Sequence, residues 1–150
     1  MSTQAEQYKK ATEEFLSLVN SLNSSDLDKS DAEGWTPRQV IHHMADSESQ
    51  SYARLRRLIA EPGTIIQGYE EGLWAENPTL GYKDQPIESA VAIFKAVRQG
   101  SYELISRLSN DQLSNAGTHS ESGHYTVEKW LQSYTNHPVD HANQIRKQIS

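Results

Sequence analysis

Apolar residues recur at steps of three and four over residues 5–23, at Tyr8, Ala11, Phe15, Leu18, Val19 and Leu22, with Lys and Glu between them. That spacing puts one apolar stripe on a helix and predicts a first amphipathic helix. A Ser- and Asp-rich stretch, 23–34, leads to Trp35-Thr36-Pro37-Arg38-Gln39. Thr36 suits an N-cap, Pro37 fits the first helical position where a missing N–H costs nothing, and Gln39 completes a Thr-x-x-Gln capping box. A second helix is predicted from Pro37, burying Val40, Ile41, Met44, Tyr52, Leu55, Leu58 and Ile59 and stopped by Glu61-Pro62-Gly63.

Residues 62–86 have no sustained period but carry four Gly, three Pro, Trp74 and two Tyr, which predicts a long ordered loop covering something. Helical spacing returns over 87–108 through Ile87, Ala90, Val91, Phe94, Val97, Leu104, Ile105 and Leu108, with Gly100, Ser101 and Tyr102 as an interruption. A second loop, 109–125, contains Gly117 and Gly123, and Thr126 caps a fourth helix that runs nearly to the C-terminus. No segment reads as a strand or hairpin. The expected fold is therefore all-α, a four-helix bundle. A loop of roughly 25 residues can reach about 80 Å and the second helix is only about 35 Å long, so the second and third helices can run parallel through a crossover.

Length and charge narrow the function. At 150 residues the chain matches a single domain, 1–150, able to bury a core without staples. The absence of cysteine removes disulfides, thiolate ligands and any cysteine nucleophile. A formal net charge of −6, with Arg54-Leu55-Arg56-Arg57 as the densest basic cluster, argues against a nucleic-acid partner. No run of about 18 apolar residues is present for a membrane span, and Met1-Ser-Thr-Gln-Ala-Glu lacks the regions of a signal peptide, so a cytoplasmic location is expected.

Six histidines, at 42, 43, 119, 124, 137 and 141, carry the candidate chemistry. His137 and His141 lie four apart on the fourth helix, so both imidazoles point one way and can reach one ion. On a wheel of about 100° per residue, His141 falls inside the apolar arc of Val127, Trp130, Leu131, Tyr134, Ile145 and Ile149, and His137 on its shoulder. Imidazoles in such an arc need partners: a metal is one, a neighbouring side chain another. On the second helix His43 sits at the edge of the buried face while His42 points toward solvent, which makes His43 the better third ligand. Three imidazoles with an open position would form a catalytic type of site. Pro138, between the pair, predicts a kink or a helix restart. Asp46 and Asp140 are spaced to orient His43 and His137 or to remain solvated, and Glu48 is a candidate base or alternative ligand. His119 and His124 flank Gly123 in a loop, and Trp35 and Trp74 can wall a pocket or cap the bundle.

Trp35-Thr36-Pro37-Arg38-Gln39-Val40-Ile41-His42-His43-Met44-Ala45-Asp46-Ser47 resembles the second-helix signature of the DinB/YfiT-like superfamily. His137-Pro138-Val139-Asp140-His141-Ala142-Asn143-Gln144-Ile145 resembles the same family's H-x-x-x-H-x-x-Q-I ending, with Pro138 in place of the usual non-proline residue. The resemblance implies an up-down-down-up bundle, a homodimer, and a divalent metal, zinc or nickel, on His43, His137 and His141. It also implies a small-molecule substrate. The activity expected first is thiol transfer from an external low-molecular-weight thiol. Metal-dependent hydrolysis and a non-catalytic metal-binding stress protein are the alternatives.

Overall fold

The computed structural model of the chain describes residues 2–32 and 34–150. The long helices are α1 (Ser2–Ser21), α2 (Pro37–Ala60), α4 (Glu88–Arg107) and α5 (Val127–Ile149), with a short α3 (Glu71–Glu76) between α2 and α4. The cap predicted at Thr36 is present: its hydroxyl accepts from Gln39 N at 3.2 Å and the Gln39 side chain accepts from Thr36 N at 3.0 Å. Gly100 does not interrupt α4. A Cβ there would come within 2.9 Å of the Tyr52 ring, so the missing side chain lets α4 close on α2.

Contacts between named residues fix the directions. Arg98 meets Glu48 while Gly100 meets Tyr52, so α2 and α4 run parallel. Phe15 packs on Phe94 and Tyr102 bonds Glu6, so α1 and α4 are antiparallel. Trp130 Nε1 bonds Ser51 O, and the His141 ring lies near that of His43, so α5 opposes α2. The result is the expected up-down-down-up bundle, with the crossover made by residues 61–87.

Three short strands correct the expectation of none. These are β1 (Ile65–Ile66), β2 (Ala116–His119) and β3 (Gly123–Thr126); β2 joins β1 in parallel and β3 antiparallel. At two to four residues each, two of them carrying glycine, they are too short for an alternating pattern to emerge. Gly117 is essential to the pairing, since a Cβ there would lie 2.4 Å from Thr64 O.

The core falls into two clusters. One gathers Tyr8, Leu55, Leu58, Ile105, Trp130 and Leu131 under the sheet, and the other gathers Phe15, Val40, Ile41, Met44, Phe94 and Ile145. Between them lies a buried polar layer, His43, Glu48, Ser51 and Arg98, built from α2 and α4 and facing α5. Among the described residues no helix is long and apolar enough to cross a membrane.

Candidate metal centre

The polar layer holds the histidine pair and its predicted partner. His43, His137 and His141 each offer a nitrogen, and these atoms lie within 4.8 Å of one another. The ring centroids are 5.5 Å (His43–His137), 4.8 Å (His43–His141) and 4.7 Å (His137–His141) apart. His43 is 2% exposed, and among the described residues its buried Nδ1 has no hydrogen-bond partner. Burial and the two neighbouring imidazoles push the His43 pKa down to about 3, and burial and the His137 imidazole lower His141 to about 4. Both rings are therefore neutral near pH 7, the form that can donate a lone pair to a metal.

Their tautomers follow from the outer contacts. Glu48 Oε2 lies 2.7 Å from His137 Nδ1. Burial alone would raise the Glu48 pKa, but the Arg98 guanidinium and His137 outweigh it and the net shift is downward. Glu48 is thus a carboxylate that accepts, His137 Nδ1 donates, and His137 Nε2 keeps its lone pair. Gln144 Oε1 does the same for His141 Nδ1 at 2.7 Å, leaving its Nε2 free. Two imidazoles held in the ligating tautomer, with a third that finds no partner of its own, fit a divalent cation on chemical grounds.

Arg98 secures this arrangement and was not singled out by the sequence reading. It is 1% exposed and donates to Glu48 Oε1 (3.1 Å), Tyr134 O (2.7 Å), Tyr8 O (3.1 Å) and Thr12 Oγ1 (2.7 Å), with its guanidinium 3.6 Å from the Tyr8 ring centroid. A signal existed. Arg98 occupies the stripe Phe94, Arg98, Ser101, Ile105, all buried, where an unpaired cation would be untenable.

The helix restart that Pro138 allowed does not occur, and α5 runs through it. Proline removes the N–H that would serve Tyr134 O. Arg98 supplies the replacement donor, so the orphaned carbonyl and the buried guanidinium satisfy each other. His137 and His141 consequently stay one helical turn apart on one face.

The remaining candidates lie elsewhere. Asp46 accepts from Tyr82 Oη at 2.6 Å rather than orienting His43. His42 is half-buried, stacked on Tyr82 at 5.8 Å with Nε2 3.1 Å from Gln85 O, so it anchors the crossover instead of pointing into solvent. Asp140 is exposed. His119 and His124 belong to the β2–β3 hairpin, where His119 Nδ1 accepts from Glu121 N at 3.1 Å. Trp35 meets the His43 ring edge-on at 5.9 Å and lines a cleft of about 500 Å³ with Thr36, Gln39, Glu76 and Lys83. Trp74 packs on Tyr69 at 4.8 Å.

Comparison with known proteins points the same way. The family model described as DinB superfamily matches residues 7–145. A protein of Oceanobacillus iheyensis named "Putative metal-dependent hydrolase OB0782" is 36% identical over 128 residues, 85% of this chain and 73% of its own. A Bacillus cereus protein named "Putative metal-dependent hydrolase" is 28% identical over 120 residues, 78% of this chain and 68% of its own. Among solved structures, YfiT from Bacillus subtilis, described as "a probable metal-dependent hydrolase with an unusual four-helix bundle topology", superposes with a TM-score of 0.88 at 25% identity, covering 98% of this chain and 84% of that one.

Proposed function

The chain belongs to the DinB superfamily, and from that premise we propose that it is a divalent-metal-dependent hydrolase of a small-molecule substrate, with His43, His137 and His141 as the ligands. The observation that carries this reading is the convergence of three ligand nitrogens within 4.8 Å, two of them on rings whose Nδ1 is held by Glu48 and Gln144. The relatives' names support the hydrolytic class. Zinc or nickel is the ion proposed, because neutral imidazoles suit both. Such an ion, when bound, supplies Lewis acidity that polarises a carbonyl or phosphoryl oxygen and makes water more acidic.

The chain's own groups do the rest. Glu48 holds the His137 proton on Nδ1 and fixes that ring's plane, Gln144 does so for His141, and Trp35 packs against His43. Arg98, itself held by the Thr12 hydroxyl, locks Glu48 from the far side of the layer. Thiol transfer is the second reading: it uses the same three ligands, and the absence of cysteine requires the thiol to come from outside.

Elemental analysis of tag-free protein, purified without chelator or added metal, tests the centre beside His141→Ala. Near-stoichiometric zinc or nickel that is lost in the variant is the expected result. No metal as purified, and no uptake when those ions are added, would sink the reading. Metal-loaded protein is then offered ester and amide panels with and without an external thiol, and product formation that requires the thiol would replace hydrolysis by transfer.

A further inference from the structure

On α2, positions 43, 47, 50, 54 and 57 follow one another at spacings of four, three, four and three, which places His43, Ser47, Gln50, Arg54 and Arg57 on a single ridge. The ridge is polar throughout, although it lies beside the buried face, and it ends in two cations. At about 1.5 Å of rise per residue, Arg54 stands about 16 Å along the helix from His43. Gln50, Arg54 and Arg57 line a cavity of about 370 Å³ whose opposite wall is Ile65, Ile66 and Gln67 of the crossover. Tyr134 links the two places, since its ring lies 5.8 Å from that of His137 and its hydroxyl accepts from Arg54 Nη1 at 3.0 Å.

Arg54 is oriented but not neutralised. It donates to Tyr134 Oη, Gln67 O and, at 3.5 Å, Gln50 Oε1. Five N–H groups are available on a guanidinium, so these three bonds leave donors over. Among the described residues Arg54 forms no ion pair, and Arg57 has only the exposed Glu61, at 3.7 Å. Glu48 and Glu71 add a negative field at Tyr134, which Arg54 opposes. A half-buried arginine held open by neutral acceptors, beside a second arginine in a concave wall, matches the fork geometry that recognises carboxylate and phosphate.

We propose that the Arg54–Arg57 cavity is an oxyanion subsite that binds the carboxylate or phosphate end of the substrate, with the reacting end toward the histidine cluster. This rests on the reading of that cluster as the reaction centre. It makes the substrate an elongated anion whose charged end lies on the order of 10 Å or more from the bond that is cleaved.

The test is a titration of inorganic phosphate, and separately of glutarate, into chelator-treated protein at constant ionic strength, followed by NMR of the backbone amides and the Arg54 Nε–H. Saturable shifts at Arg54, Arg57 and Gln67 are expected with one of the two anions, and which one assigns the chemistry of the end group. Arg57→Gln, exposed and free of structural bonds beyond Glu61, is expected to weaken binding about tenfold. Arg54→Gln, with its fold checked by thermal melting, is expected to abolish it. No saturable shift with either anion, or unchanged affinity in Arg57→Gln, would overturn the proposal. In His141→Ala the anion shifts are expected to persist, so a failure of the metal reading and a failure of the subsite give different results.

Discussion

Arg98 Nη1 donates to the carbonyl oxygen of Tyr134 at 2.7 Å, and Tyr134 stands four residues before Pro138. A proline in mid-helix leaves that acceptor without its backbone donor and in other settings bends or ends the helix. Here a side chain from α4 takes the role, and the same guanidinium holds Glu48, which holds His137. The integrity of α5 and the orientation of one candidate ligand therefore depend on one buried arginine.

Arg98→Met is expected to destabilise the protein by about 3–5 kcal/mol, because it leaves the Glu48 carboxylate buried without its cation. Pro138→Ala restores a backbone N–H opposite Tyr134 O, which Arg98 already satisfies in the parent protein but not in Arg98→Met. The gain from Pro138→Ala should therefore be larger, by about 1–2 kcal/mol, in the Arg98→Met background. Denaturant unfolding of the four proteins measures this, and additivity within about 0.5 kcal/mol would refute the coupling.

Glu48→Gln keeps an oxygen near His137 Nδ1 but removes the charge that holds its proton there. The expected loss is about 10–100-fold in metal affinity, the usual effect of altering a group that orients a metal-bound histidine. Competition with a chromogenic chelator reads it directly. An unchanged affinity would mean that Glu48 serves only Arg98.

Much of this was legible in the sequence. Thr36-Pro37-Arg38-Gln39 announced the start of α2 because capping chemistry is local, and His137-x-x-x-His141 announced a shared face because helical spacing is local as well. His43 followed from the edge of one apolar stripe. Arg98 escaped because its partners, Glu48, Thr12, Tyr8 and Tyr134, come from three other helices, and only the assembled bundle shows that a cation in the Phe94–Ile105 stripe is satisfied. The continuity of α5 through Pro138 was hidden for the same reason. The sheet was missed because its strands are too short to show alternation, the β2–β3 hairpin carries a glycine in each strand, and β1 finds its partner some fifty residues away, Ile65 with Thr118 and Ile66 with His119.

Gly117 and Gly72 separate crowding from propensity. A Cβ on Gly117 would meet Thr64 O at 2.4 Å, a backbone atom that cannot swing away, so Gly117→Ala should push β2 from β1 and cost about 1–3 kcal/mol. A Cβ on Gly72 meets nothing within 4 Å, and Gly72 lies inside α3, so Gly72→Ala should be neutral or stabilising by up to about 1 kcal/mol. Thermal melts of both variants check the contrast, and equal effects would contradict it.

Acid should weaken the metal-free protein well before its carboxylates titrate. His43 takes a proton in the folded state only near pH 3 and His141 near pH 4, because burial and their neighbours disfavour the charge. In the unfolded chain both bind a proton at about pH 6.5. Between these values the unfolded state holds more protons, so stability is fully present above about pH 6.5 and falls as pH drops toward 4. Each histidine contributes a slope of about 1.4 kcal/mol per pH unit, equivalent to roughly 3–5 °C of Tm per unit for a chain of this size. Glu48, with its pKa lowered in the fold, adds a loss of the same sign at more acid pH. The measurement is Tm from pH 8 to 4.5 in chelator-treated protein, beside His43→Leu, whose decline over the same interval should be shallower by about one histidine's share. A Tm independent of pH from 7.5 to 5 would show that the folded histidines take up protons as readily as the unfolded ones, which would contradict the burial of two neutral imidazoles.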